Sequence, residues 1–155
     1  MADEVGADSG DGFAGGDSLA LAPELNELPR AAGWLEALAN RDGLPEAVLF
    51  KLQLGLEEAL VNVLSYAFPA EGKARAQIRL DYARATGLAR LRITDNGVPF
   101  DPTCKPDVVN AASIEEAEVG GHGIQLMRHL LDEFSYCHVD GNNRLILGTR
   151  LDTAG

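Results

Sequence analysis

Apolar residues recur along this chain with two periods, and each change of period marks a new element. Leu25, Leu28, Ala32, Leu35 and Leu38 fall three and four residues apart, which is the spacing of one helix face. A helix is therefore predicted from Pro23 to about Asn40, ended by Arg41-Asp42-Gly43. A second helix is predicted from Pro45, a residue suited to a first helical turn, to about Phe68 ahead of Pro69. Its core stripe is Leu49, Leu52, Leu56, Leu60, Val63 and Ala67. From Arg75 the period drops to two. Ala76, Ile78, Leu80 and Tyr82 share one face of a strand, and Arg75, Gln77, Arg79 and Asp81 share the other. Thr86-Gly87 turns this strand into Leu88–Asp95, an antiparallel hairpin. Ile124, Met127, Leu130 and Leu131 then predict a helix to about Glu133. Strands Phe134–Val139 and Arg144–Leu151 follow, joined by Gly141-Asn142-Asn143, and Ser18–Leu21 reads as a short first strand. This order predicts an α/β fold with a largely antiparallel sheet and helices on one face.

The two ends of the pattern carry little periodicity. Residues 1–17 are rich in Gly, Asp and Ala with Phe13 as the one aromatic, a composition that predicts a disordered acidic tail. Residues 18–155 then form one domain. Residues 102–119 contain Pro102 and Pro106 and no clear period, so they read as a long loop, with a short helix near Val108–Ala112.

Charge narrows the function classes. The net charge is -11, which argues against nucleic acid as a direct ligand, because phosphate binding needs surplus Lys and Arg. Part of that charge is local, since Asp3, Glu4, Asp8, Asp11 and Asp17 precede the first basic residue, Arg30. No apolar run reaches a membrane span and no signal-peptide pattern opens the chain, so a cytoplasmic protein is expected. Cys104 and Cys137 read as ordinary thiols. His122, His129 and His138 show no metal-ligand spacing.

Three stretches carry candidate chemistry. On the second helix, Gly55, Glu58, Asn62 and Tyr66 form a second line, with Glu58 and Asn62 one turn apart, able to address one ligand. An exposed polar helix face is the plainer reading. In Asp95-Asn96-Gly97-Val98-Pro99-Phe100-Asp101 a carboxylate ends a strand and a glycine follows. Such a pair can accept from an exocyclic amine while the glycine lets a ring approach; a simple turn is the plainer reading. In Gly120-Gly121-His122-Gly123 glycines run into an apolar helix start, where backbone N–H groups can meet an anion. A tight turn is again the commoner meaning.

Taken together and in order, these stretches resemble the three boxes of the GHKL ATPase/kinase superfamily. Glu58-Ala59-Leu60-Val61-Asn62 is similar to the N box, Asp95–Asp101 to the first glycine box, and Gly121-His122-Gly123-Ile124-Gln125-Leu126-Met127 to the second. The compact length, the Pro-Phe-Asp ending and Leu131-Asp132-Glu133 most resemble the anti-sigma factor serine/threonine kinases of bacterial partner-switching modules. The resemblance implies a Bergerat-type two-layer sandwich with a mostly antiparallel mixed sheet, binding ATP with Mg²⁺. It implies Asn62 as the Mg²⁺ ligand and Glu58 as the base that orients the attacking hydroxyl. Asp95 would hold the adenine amine and Gly97 would give the ring room. Gly121 and Gly123 would cradle phosphates, with His122 and Ile124 in the same nucleotide-binding turn, and residues 102–119 would form the ATP lid.

The function implied is phosphorylation of a STAS-type anti-anti-sigma antagonist together with sequestration of a sigma factor. No membrane and no direct nucleic acid are involved, and a homodimer is left open. An alternative, a nucleotide-binding partner switch without phosphotransfer, is favoured by a missing Arg and an acidic lid. Tyr66 stands where many relatives have His, and Glu118-Val119-Gly120 replaces an Arg found in some kinases, in a lid that also carries Glu115 and Glu116.

Overall fold

A computed structural model describes residues 10–69, 74–102 and 122–152, with the backbone alone at 10, 11 and 122–124. Among the described residues four α-helices and five strands follow one another as α1 (Gly10–Phe13), β1 (Asp17–Leu21), α2 (Leu28–Asp42), α3 (Glu46–Asn62), β2 (Ile78–Ala85), β3 (Leu88–Asp95), α4 (His122–Leu130), β4 (Glu133–Val139) and β5 (Asn142–Arg150). The strands form one sheet in the order β1-β2-β3-β5-β4, and every pairing is antiparallel. The α/β architecture with helices on one face is as the periodicity predicts.

Alternation in the strands sends Leu80, Tyr82, Leu91, Ile93, Leu145 and Leu147 toward the helices, and all are buried. Helix α3 lies centrally. It buries Val48, Leu52, Gly55, Leu56, Ala59, Leu60 and Asn62, so both lines predicted on it turn inward except for half-buried Leu49 and Glu58 and exposed Tyr66. Gly55 suits this close packing, since a Cβ there would lie 3.0 Å from Leu147 Cδ1 and 3.4 Å from Leu131 Cδ1 and those side chains would have to give.

Several boundaries differ from the expectation: α3 gives way to a π-helical turn at Val63 rather than running to Phe68, and α4 ends at Leu130 rather than near Glu133. Pro23 does not open α2. A 3-10 turn at Leu25–Glu27 intervenes and Pro29 falls in the first turn, because Glu27 ties the chain back through the Ala22 N–H and Arg30. The end of α2 is as read, with Gly43 left-handed at φ 67. Pro45 caps α3 from outside rather than opening it. The predicted strand at Arg75 begins at Ile78, where pairing with β1 and β3 starts.

Residues 10–17 were expected to be disordered, yet they hold α1 and the start of β1, and Phe13 is buried at 5% exposure. Composition misleads here because one aromatic anchor offsets an otherwise polar segment. Residues 1–9, the Glu71-Gly72-Lys73 turn, Cys104 and the loop 103–119 with its helix near Val108–Ala112 lie outside the described residues.

Candidate functional site

The end of α3 and the ends of β3 and β5 converge on one cleft. Asn62, Asp95 and Asn143 line it with Ala59, Val63, Ala67, Ile93, Phe100, Pro102, Tyr136 and Leu145. Asp95 and Asn143 are direct partners across the β3–β5 ladder. Both are buried, at 3% and 4% exposure. The Asp95 Oδ1 accepts from the Gly97 N–H at 2.8 Å and from Asn143 Nδ2 at 2.9 Å. Burial pushes the Asp95 carboxyl above its ordinary range, and those two bonds pull it partly back.

Asn143 organises the cleft. Its Nδ2 also donates to the Val98 carbonyl at 2.9 Å, and its Oδ1 accepts from the Phe100 N–H at 3.2 Å and from the Tyr136 hydroxyl. One side chain thus holds the Asp95 carboxylate and the loop after it. The Tyr136 hydroxyl is in turn pushed above its usual range by burial. Neither Asn143 nor Tyr136 stood out in the sequence, where Asn143 reads as part of a turn. The signal that could have found Asn143 is its place opposite Asp95 in strand register, which pairing alone reveals.

After Asn62 the helix widens into a π-helical turn, Val63–Ala67, a deviation that recurs at functional sites. The turn aims the Ala67 carbonyl at the Asp95 loop, where the Val98 N–H donates to it at 2.8 Å. A Cβ on Gly97 would collide with that carbonyl. Glycine at 97 is therefore required by backbone approach to α3. The same turn presents Tyr66, whose ring stacks on Phe100 with centroids 5.4 Å apart.

Asn62 is 5% exposed, and its Nδ2 has no hydrogen-bond partner among the described residues. Such a donor costs free energy unless a ligand or water meets it. Among the described residues no cluster of His, Cys, Asp or Glu could hold a metal on its own. A cation here would need most of its oxygens from a ligand, with the Asn62 oxygen added. The donor set fits such a group. The cavity itself is about 20 Å³, room for little more than one water, so its lining must open before a ring can enter.

Glu58 is one turn before Asn62 but opens onto a neighbouring groove of about 210 Å³ between α3 and α4, with Lys51, Leu54, Val61, Leu126 and Met127. The structure therefore brings Asn62, Asp95 and Gly97 together and sets Glu58 beside them. His122, Gly123 and Ile124 form the first turn of α4. Gly121 lies outside the described residues.

The comparisons with known proteins fit this geometry. Residues 21–149 match the family described as "Histidine kinase-like ATPase domain". The chain belongs to that family. Serine/threonine-protein kinase BtrW of Bordetella bronchiseptica is 37% identical over 131 residues, covering 84% of this chain and 91% of that protein. Serine-protein kinase RsbW of Listeria monocytogenes is 27% identical over 123 residues, covering 77% and 76%. Within the family the chain thus groups with serine/threonine protein kinases of the GHKL type. The crystal structure of the RsbU and RsbW domains of Rv1364c from Mycobacterium tuberculosis shares the fold, with a TM-score of 0.58 at 16% identity. The match covers 87% of this chain and 32% of that one, so this chain spans about a third of that protein's length. Among the described residues no helix is long and apolar enough to cross a membrane.

Proposed function

We propose that this chain is an ATP-dependent serine/threonine protein kinase that phosphorylates a STAS-type anti-anti-sigma antagonist and, in its other partner state, holds a sigma factor. The observation that carries the reading is the buried, unpartnered Asn62 Nδ2 in the same cleft as Asp95. An apolar cleft with one carboxylate acceptor and one unused amide suits a purine and its metal-bound phosphates. Asp95 accepts from the adenine amine through Oδ2, its Oδ1 being held by Gly97 and Asn143. Asn62 contributes its oxygen to Mg²⁺. His122, Gly123 and Ile124, at the start of α4, present backbone N–H groups to the phosphates, a role the sequence also assigns to Gly121. Bound ATP with Mg²⁺ supplies the transferable phosphoryl group and neutralises its charge. Glu58, in the adjoining groove, takes the proton from the acceptor hydroxyl as a general base. The relatives named as serine kinases support the transfer step, and the need for ATP places the work in the cytoplasm.

A second reading is a nucleotide-binding partner switch that transfers no phosphate. It is favoured by Glu58 lining a different groove from Asn62 and Asp95. Two measurements separate the readings. Calorimetric titration of ATP is expected to show binding strengthened by Mg²⁺ in the wild type and not in Asn62→Ala. Incubation with labelled ATP and a STAS antagonist is expected to label a Ser or Thr of the antagonist. Mg²⁺-dependent binding without labelling selects the switch, and absence of binding rejects both.

A further inference from the structure

Helix α3 serves two openings with two of its faces. Ala59 and Asn62 line the nucleotide cleft, while Leu54, Glu58 and Val61 line the groove toward α4. Gly55, Met127 and Leu131 are buried and close the floor of that groove. Two ridges stand above the floor. Leu54 and Glu58 are one turn apart on α3, and Leu126 and Leu130 are one turn apart on α4. Leu126 is 47% exposed, and Leu54, Val61 and Leu130 are half-buried. Apolar walls therefore stand open over about 210 Å³, with one carboxylate, Glu58, set among them.

Glu58 and the neighbouring cleft name the occupant. Glu58 and Val61 are the chain neighbours of Ala59 and Asn62, so one end of the groove adjoins the cleft, and Lys51, two turns back along α3, marks the other. A serine/threonine protein kinase takes its second substrate as a hydroxyl on a polypeptide, and a base must come within about 2.6–3.2 Å of that hydroxyl. The space around Glu58 has to admit the chain that carries it. Spacing then selects a flanking residue. In an extended segment, side chains two positions apart point to the same side and stand about 6–7 Å apart. The turn from Glu58 back to Leu54 rises about 6 Å. A hydroxyl at Glu58 therefore sets the side chain two positions away between Leu54 and the α4 ridge. Glu57 adds a second carboxylate to the same lining, against Lys51 alone among the described residues, so an acidic residue is disfavoured there.

We propose that the α3–α4 groove is the acceptor seat of the kinase: it holds an extended segment of the protein substrate, with the Ser or Thr at Glu58 and an aliphatic side chain two positions away between Leu54 and Leu130. The proposal rests on the reading of Glu58 as the base. It also gives a reason for Glu58 to face a groove apart from Asn62 and Asp95, since nucleotide and acceptor enter from different sides of α3. Leu54 and Leu130 touch neither the hydroxyl nor the nucleotide; they set which segments are accepted.

The test uses the full chain, labelled ATP with Mg²⁺, and a position-scanning library of short Ser peptides. Each pool fixes one residue at a position up to two places before or after the Ser. Pools with Leu, Ile, Val or Met two places from the Ser, on one side of it, are expected to be labelled roughly tenfold or more faster than pools with Asp or Glu there. Leu54→Lys and Leu130→Lys, one from each ridge, are each expected to turn that preference toward Asp and Glu. The readout is a ratio between pools, so a general loss of rate or stability does not move it, and a folding defect in one variant leaves the other. Labelling by wild type that ignores the residue two places away overturns the proposal. So does an aliphatic preference that both variants keep. Labelling of a STAS antagonist but of no peptide pool leaves the kinase reading standing and rejects a seat for an extended segment. Labelling of neither rejects the kinase reading and the seat with it.

Discussion

Asn143 donates from Nδ2 to the Asp95 Oδ1 over 2.9 Å, although 48 positions separate them in the chain. The bond exists because β5 pairs with β3 and brings the two residues opposite each other. Asn143→Ala removes it together with the bonds to Val98, Phe100 and Tyr136. The expected loss is about 1–3 kcal/mol in chemical denaturation, since buried partners are left unsatisfied. ATP affinity is expected to fall about tenfold, a change of about 1.4 kcal/mol. Lost stability with unchanged affinity would leave Asn143 as scaffold only.

Asp95→Asn separates binding from stability. The folded carboxyl titrates above the usual aspartate range because of burial, so the native state binds this proton more readily than the unfolded state. Stability from this group therefore falls as pH rises from the unfolded value through the folded one, and at pH 7 the ionised group costs stability. Asparagine keeps an acceptor oxygen for Gly97 and Asn143. The variant is expected to melt no lower than wild type at pH 7, with a flatter pH dependence, while ATP affinity drops at least about tenfold. A lower midpoint with intact affinity would contradict both halves.

Glu58→Gln tests the base. Phosphoryl transfer to a STAS antagonist is expected to drop about 10²–10⁴-fold, the usual worth of a positioned base, with Mg²⁺-ATP affinity essentially kept. Transfer at the wild-type rate would remove Glu58 from the chemistry.

Gly97→Ala drives a Cβ into the Ala67 carbonyl. The obstacle is backbone, so the Asp95 loop must shift, at a cost of about 1–3 kcal/mol. Its Val98–Ala67 bond is expected to be lost, seen as faster exchange of the Val98 amide. A protected Val98 amide would show that the loop accommodates the methyl group.

At the far end of the sheet Asp132 shapes the acid limb of stability. The Arg150 N–H, donating at 2.7 Å, holds its carboxyl below the ordinary range. Stability from this group is present above the unfolded value and is lost as pH falls through the folded one. Asp132→Asn is expected to melt lower at pH 7 and to show a shallower decline on acidification. A decline as steep as that of wild type would assign the acid limb to other carboxylates.

Much of the fold is legible because periodicity is local. The alternation at Ile78, Leu80 and Tyr82 and at Leu91 and Ile93, with Thr86-Gly87 between, specifies the β2–β3 hairpin. The family is legible because the resemblance rests on short local stretches: Glu58, Asn62, Asp95 and Gly97 are recognisable from their neighbours in sequence. Tyr66 looked like a departure from the family pattern, and its stacking on Phe100 could not be read, since 34 positions of chain separate the two.

What local order determined, then, is the element sequence and two of the polar residues at the cleft, Asn62 and Asp95, because helix and strand periods and turn residues act within a few positions. Tertiary structure alone decided which of them meet. Pairing of β3 with β5, rather than with β4, the next strand in order, puts Asn143 on Asp95. The π-helical turn after Asn62 brings Ala67 against Gly97. Charged side chains of β2, β3 and β4 surround Phe13, which belongs to a segment that composition read as disordered. Each depends on contacts between distant residues, and their free energy appears only once the sheet has formed.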